Sequence, residues 1–254
     1  MARLPSVFIS HGSPMHALDP GAAGEAWAEL GRRLGKPRAI LIASAHWETN
    51  VPMLTGNPKP ETIHDFSGFP QPLYKLRYPA PGAPDVAQRA QALLKDAAID
   101  GSRGLDHGAW APLLYMYPKA DIPVVQISVQ PAFGPRHHVE VGRSLKNLSE
   151  EGVLIIGSGH MTHNLRDWAR GSGKPQPYAR EFSDWVREKM EKRDLEALAD
   201  YRSLAPHAAR AHPTEEHFLP LFFALGASGH QGNPERIYDG IEGGVLAMDS
   251  YVFH

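Results

Sequence analysis

Val7-Phe8-Ile9-Ser10-His11-Gly12-Ser13-Pro14 decides the fold, because the chain uses the same design twice more. Ile40-Leu41-Ile42-Ala43-Ser44-Ala45 runs into His46-Trp47, and Leu154-Ile155-Ile156-Gly157-Ser158-Gly159 runs into His160-Met161-Thr162-His163-Asn164. Each segment is a continuous apolar run that ends in small residues and a histidine. A strand without polar alternation is buried on both faces, as in a parallel sheet covered by helices. Open sheets of that kind bind ligands at the carboxyl ends of their strands. If these three strands are parallel, three histidines converge on one rim. Ser10, Gly12, Ala45, Gly157 and Gly159 beside them allow close approach of backbone or ligand. One histidine after a strand is ordinarily structural; three in the same place point to a mononuclear metal site.

The rest of the chain supports that frame. Strands are predicted over 7–9, 39–43, 122–129, 153–156 and 245–253. Helical spacing predicts helices over 22–34, 85–98, 138–148, 181–201 and 213–225. In the longest, Phe182, Trp185, Val186 and Met190 share one face, and Glu188 with Lys192 reads as a solvated face. Pro213 suits a first turn, Gly226 suits a helix end, and Pro220 predicts a kink. Residues 57–84 are rich in Pro, Gly and aromatics and read as a long ordered loop. Strand and helix alternate without a linker. The expectation is therefore a single α/β domain over 1–254, with a central, mostly parallel sheet flanked by helices and a metal site at the carboxyl ends of its strands.

Composition narrows the chemistry. The 254 residues hold 26 Lys and Arg against 28 Asp and Glu, a formal charge of −2. That balance argues against nucleic acid and anionic membranes as partners. Cysteine is absent and histidine numbers 14. Disulfides, thiolate zinc sites, Fe–S clusters and a Cys nucleophile are thereby excluded, so a transition metal would take imidazole and carboxylate ligands. The start Met1-Ala2-Arg3-Leu4-Pro5 has no apolar core of a secretory signal, and no run is long enough to span a membrane; the expected location is the cytoplasm.

More candidates surround the three strand ends. Asp106-His107-Gly108-Ala109-Trp110 puts a histidine in a turn before an apolar helical stretch. His212-Pro213-Thr214-Glu215-Glu216-His217 opens the last helix, and His64-Asp65-Phe66 lies in the long loop. His137-His138 starts a helix and is expected at the surface. His16, His207, His230 and His254 carry no pattern and read as surface or local hydrogen-bonding residues. Gly157-Ser158-Gly159 completes neither a dinucleotide fingerprint nor a nucleophile elbow, and there is no Walker A, H-E-x-x-H or EF-hand motif.

Taken in order, these pieces resemble a known family. They are His11-Gly12-Ser13-Pro14-Met15, Ser44-Ala45-His46-Trp47, Thr62-Ile63-His64-Asp65-Phe66 with Gly68-Phe69-Pro70, Leu73-Tyr74, Tyr78-Pro79-Ala80-Pro81-Gly82, Asp106-His107-Gly108, Gly157-Ser158-Gly159 with His163-Asn164-Leu165, and Pro213-Thr214-Glu215-Glu216-His217. Over nearly its whole length the chain resembles the DOPA-type extradiol ring-cleaving dioxygenases of the class III, LigB-like superfamily. The resemblance implies a metal-dependent enzyme that opens a catechol ring with dioxygen to a muconic semialdehyde. It implies one divalent metal, Fe(II) for catalysis or Zn(II) as the metal found bound, held by His11, His46 and His217. Many members have a glutamate as third ligand, so Glu215 and Glu216 stay open as alternatives to His217. It makes His163 the acid–base histidine and a candidate fourth ligand, and His107 the residue that holds substrate or oxygen. His64, Phe69 and Tyr74, with Tyr78, are candidates for walling a substrate pocket or for anchoring the loop. His160 is an extra with no assigned role. The partners implied are a small catechol and dioxygen. A zinc-dependent hydrolase with the same ligands, and a non-enzymic Memo-like interaction protein, are the rival readings.

Overall fold

The computed structural model describes residues 3–170, 173–229 and 234–254. Ten strands are described: β1 Ser6–Ser10, β2 Ala39–Glu48, β3 Met53–Thr55, β4 Ala98–Asp100, β5 Val124–Val129, β6 Val153–Gly159, β7 Pro234–Tyr238, β8 Ile241–Glu242, β9 Leu246–Ala247 and β10 Ser250–Phe253. Eight form one sheet in the order β4-β3-β5-β2-β6-β1-β10-β7, and β8 with β9 makes a small hairpin. The centre is parallel: β5 with β2, β2 with β6, and β6 with β1. The antiparallel pairs lie outside it, between β1 and β10, β10 and β7, and β3 and β5.

Helices cover both faces, which is why the central strands are apolar throughout. The helices are α1 Gly21–Leu34, α2 Gln71–Lys75, α3 Pro84–Leu93, α4 His107–Met116, α5 Gly134–Leu145, α6 Leu165–Arg170, α7 Pro177–Glu191, α8 Leu195–Ala199, α9 Tyr201–Leu204, α10 Ala208–Ala211 and α11 Leu219–Ser228. Ile40 and Ile42 of β2 join Trp27 of α1 and Trp110 of α4 in one core. Leu41 and Ala43, pointing the other way, join Ala87 of α3, Val141 of α5 and Phe223 of α11. A third core joins Phe8 of β1 to α7, α9 and α11 through Phe182, Tyr201 and Phe222. Among the described residues no helix is long and apolar enough to cross a membrane.

Several boundaries differ from the sequence expectation. The helix expected over 181–201 starts earlier, at Pro177, and stops at Glu191; Arg193 then takes a left-handed backbone, φ 56°. Two short helices replace the remainder, the first capped by Asp194, whose side chain accepts from the Ala197 N–H. The expected helix over 213–225 begins only at Leu219, so Pro220 stands in its first turn and makes no kink. Proline fits there because first-turn N–H groups have no helical acceptor. The helix expected over 85–98 ends at Leu93, and that expected over 138–148 begins at Gly134. In residues 245–253 there are two short strands where one was expected.

The turn before α11 lies directly on β6. A Cβ on Gly157 would collide with the Pro220 carbonyl oxygen, and one on Gly159 with the His217 carbonyl oxygen. The two glycines thus let residues 217–220 rest on the strand, and the His160 N–H donates to the His217 carbonyl at 2.7 Å. Gly157→Ala is expected to lower stability by about 1–3 kcal/mol through this backbone clash. Gly101→Ala, where a Cβ meets nothing, should stay within about 0.5 kcal/mol. Urea unfolding of the pair measures the difference.

His138 is not at the surface. It is buried, its Nδ1–H donates to the Gly134 carbonyl at 2.7 Å, and its Nε2 accepts from the Gln130 N–H at 3.0 Å. Both bonds need a neutral ring, and burial above all pushes its pKa from 6.5 down to about 4. The unfolded chain therefore takes up this proton first. The stabilisation is complete above pH 6.5 and is lost as pH falls toward 4, by about 3 kcal/mol over the window. Stability measured from pH 7 to 4.5 should fall less steeply in His138→Gln, by about one proton of uptake.

Candidate metal centre and active site

Parallel register brings the strand ends together. Ser10 pairs with Gly159 and Ser44 with Ser158, so His11 and His160 leave neighbouring strands side by side. β2 continues past its expected end, through a register shift, and carries His46 on its last turn of strand. His217 comes down from the turn before α11. The ligand nitrogens of His11, His46 and His217 lie within 4.8 Å of one another. His46 Nε2 is 3.0 Å from His11 Nε2 and 3.3 Å from His217 Nε2.

Outer partners place the protons. Ser158 Oγ donates to the Gly108 carbonyl, so it accepts from His11 Nδ1–H at 3.0 Å. His217 Nδ1 faces Glu216 Oε1 at 2.8 Å, and His46 Nδ1 faces Asp65 Oδ2 at 3.4 Å. With Nδ1 protonated in each ring, all three Nε2 lone pairs point at one another. Burial, and then neighbouring histidines, push His11 and His217 well below the usual histidine range. Burial first and His107 second push His46 down to about 3. Three neutral nitrogens with converging lone pairs, two of the rings held by a hydrogen bond at Nδ1 and the third facing a carboxylate there, fit a divalent transition metal.

Two histidines flank this floor. His107 sits at the start of α4, its ring centroid 4.0 Å from that of His46. Asp65 grips it twice, accepting from the His107 N–H at 2.9 Å and from Nδ1–H at 2.8 Å. Burial pushes the Asp65 carboxyl up, but the His107 hydrogen bond and charge outweigh it and hold the pKa down at about 2. Asp106, fully buried, anchors the same helix start by accepting from Ser44 Oγ at 2.6 Å and facing Arg103 at 3.1 Å. His163 stacks on His217 with centroids 3.5 Å apart, and its own N–H donates to the Ala211 carbonyl at 2.8 Å. Burial pushes His163 down to about 4, so its ring is neutral at pH 7 and able to accept a proton. All six histidines, 11, 46, 107, 160, 163 and 217, line one cavity of about 570 Å³.

Residues 5–246 match the family described as the catalytic LigB subunit of aromatic ring-opening dioxygenase. The chain belongs to this family. It is 43% identical to the 4,5-DOPA dioxygenase extradiol of Beta vulgaris, over 97% of this chain and 95% of that protein. It is 40% identical to the protein of the same name from Escherichia coli K12, over 97% of this chain and 93% of that one. A crystal structure of an uncharacterized Escherichia coli K12 protein superposes with a TM-score of 0.85 at 35% identity, covering 99% of this chain and 100% of the other. The chain is accordingly an enzyme of the extradiol ring-opening type.

The enzyme brings together His11, His46, His107, His163 and His217, and adds His160, which is buried with its ring edge-on to His11 at 4.9 Å. Of the loop candidates, Phe69 lines the cavity together with Phe66. His64 and Tyr74 are not among the lining residues. His64 stands behind Phe66 at 5.7 Å, with Nε2 3.1 Å from the Leu76 carbonyl, and the Tyr74 hydroxyl accepts from the Phe69 N–H at 3.3 Å. Tyr78 is buried and donates to the Tyr117 carbonyl at 3.0 Å. Glu215 turns away to the Tyr201 hydroxyl and Arg202, at 2.9 and 3.1 Å. His16 is buried and pairs with Glu242 at 2.8 Å, whereas His207 and His254 are exposed and pair with Glu181 and Glu235. His230 lies outside the described residues. Sequence reasoning passed over Asp65, and the only signal for it was its place beside His64 in a conspicuous loop.

His11→Ala is expected to abolish stoichiometric metal binding. Glu216→Ala, which frees the His217 ring, should weaken affinity about 10–100-fold. Chelator competition with zinc measures both; unchanged affinity in Glu216→Ala would show that His217 needs no partner.

Proposed function

We propose that this chain is a single extradiol-dioxygenase domain over residues 1–254, acting in the cytoplasm on a catechol related to DOPA. Both atoms of dioxygen enter the product, a muconic semialdehyde, as the bond beside the diol opens. The observation that carries this reading is the convergence of six histidines, three of them with facing Nε2 lone pairs, on the floor of one cavity.

In this reading His11, His46 and His217 hold one divalent metal. When bound, the metal, Fe(II) for turnover or Zn(II) as an alternative occupant, supplies Lewis acidity toward the diol and, as iron, access to dioxygen. His163, neutral at pH 7, accepts the proton of a catechol hydroxyl and returns it as the ring opens. Its stack on His217 limits where the ring can swing. His107 keeps Nδ1–H on Asp65, which leaves Nε2 as an acceptor that holds a hydroxyl of the substrate by a hydrogen bond. Phe69 and Phe66 take the flat face of the substrate, and His64 and Tyr74 hold that pair of rings in place.

The test is anaerobic loading of metal-stripped protein with Fe(II), addition of a catechol panel, then admission of air. Yellow semialdehyde with matching oxygen consumption, absent from the Zn(II) control, is the expected result. Hydrolysis of esters or amides by the Zn(II) form, with no coloured product from the Fe(II) form, would replace the reading with a hydrolase. His163→Ala is expected to keep its fold and metal while turnover falls about 10²–10⁴-fold. Normal turnover in that variant would remove His163 from the proton path.

A further inference from the structure

His16 is not one of the histidines that line the cavity, yet it is buried and both of its ring nitrogens have partners. Nδ1 lies 3.0 Å from the Ser13 carbonyl oxygen, and Nε2 lies 2.8 Å from Glu242 Oε1. A carbonyl and a carboxylate oxygen only accept, so both ring nitrogens must donate. The form that satisfies both partners is the doubly protonated, cationic imidazolium. The Trp27 ring, 5.8 Å away, is within reach to favour that charge.

The two partners belong to different walls of the cavity. Ser13 lies in the run from His11 to Met15, every residue of which lines it. His16 packs under this run: Gly12 takes φ 72°, and a Cβ there would collide with the His16 ring. Glu242 ends β8, and its register partner on β9 is Leu246, a lining residue of the other wall. The next residue, Gly243, lies against the Trp168 indole, and Trp168 lines the cavity together with Leu165. β9 has an anchor of its own, since the Ala247 N–H donates to Thr162 Oγ1 at 2.7 Å. The end of β8 is tied to the turn after His11 through Glu242. One ring thus bridges that turn and the hairpin on which the indole rests.

We propose that His16 is a positioning residue: its cationic ring clamps the turn after His11 to the β8–β9 hairpin, and a catechol binds tightly only between walls held in this way. This rests on the ring-opening reading for the identity of the substrate and adds a residue to which that reading gives no part. Removing one proton leaves one donor for two acceptors, so one bond breaks and one wall is released. Glu242 from β8 and Asp19, just beyond the His16 helical turn, face the ring with negative charge. Tyr238 of β7 stands beside Glu242, and His160 after β6, held neutral by burial, is the titratable neighbour toward the cavity. Burial opposes the charge on His16, but the Glu242 hydrogen bond and charge outweigh it and raise the pKa above 6.5. The clamp is therefore complete below pH 6.5 and is lost as pH rises through the raised value.

The test uses Glu242→Ala and Glu242→Gln. Alanine removes the bridge. Glutamine keeps one without charge, because its amide N–H donates to Nε2 of a neutral ring that holds Nδ1–H on Ser13. Catechol affinity is measured by calorimetry on the Zn(II) form from about pH 6 to 9, and kcat and KM on the Fe(II) form. At the acid end Glu242→Ala is expected to bind about 3–10-fold more weakly, as KM rises and kcat stays within about twofold, because saturating substrate reselects the clamped arrangement. Glu242→Gln should restore the affinity. The ratio of the unaltered enzyme to Glu242→Gln cancels titrations common to both, those of the catechol hydroxyls included. That ratio should fall by about the same factor as pH rises, with the midpoint of the His16 Cε1–H resonance, assigned by its absence from His16→Gln. Full affinity in Glu242→Ala, a ratio that does not move with pH, or a His16 resonance that titrates below pH 6.5 would overturn the proposal. If catechol is bound but not opened, the ring-opening reading falls and the affinity ratio still decides the clamp. If catechol does not bind at all, both fall.

Discussion

Everything at the site depends on where three protons sit. His11 and His217 carry theirs on Nδ1, because Ser158 and Glu216 accept there, and the charge of Asp65, 3.4 Å from His46 Nδ1, favours the same tautomer in the third ring. If any of the three rings moved its proton to Nε2, a donor would stand where a metal needs a lone pair. The outer acceptors therefore do two things at once. They orient the rings, and they choose the tautomer that makes the rings useful. Burial reinforces the choice by holding the rings neutral, since a charged imidazole packed among others would be both desolvated and repelled.

The scaffold meets this demand with parallel strands and two close approaches. Parallel register sets the ends of β1 and β6 level, which puts His11 beside His160, and the extended end of β2 brings His46 to them. The fourth contributor, the turn with His217, comes from more than fifty residues beyond β6 and lies on it only because Gly157 and Gly159 present no side chain. Asp65 is brought by the long loop and reaches His107 across 42 residues of sequence. That loop is thus part of the site, even though most of its aromatic residues serve to hold one another.

The strand ends could be read directly, because a buried parallel strand has a distinct residue pattern and histidine after small residues is a visible interruption of it. His11, His46 and His163 were legible in that way, and His107 and His217 through motif order. The register shift that extends β2 past Ala43 was not legible, since Ser44 to Glu48 carry no strand pattern of their own. Nor was the late start of α11: Pro213 and Pro220 both suit a first turn, and the tertiary contact on β6 decides between them. His138 was misplaced for a related reason. A neutral histidine with both nitrogens satisfied by local backbone is as buried as an apolar residue, and nothing in His137-His138 distinguishes the two neighbours. Asp65 and Glu216 act through other side chains, so residue type alone could not separate them from Glu215, which points elsewhere.

The two carboxylates explain why a set of neutral imidazoles suffices. Neither Glu216 nor Asp65 joins the three facing nitrogens, yet each lies against the far side of one ring. A carboxylate in that position raises the basicity of the nitrogen opposite, so part of its charge is felt at the centre. The rest stays available to other partners, and Asp65 uses it on His107. One carboxylate consequently ties one of the three facing rings to the flanking histidine, and a shift of the loop that carries it would disturb both together. The negative charge is kept beneath and beside the floor, while the wall above it is apolar.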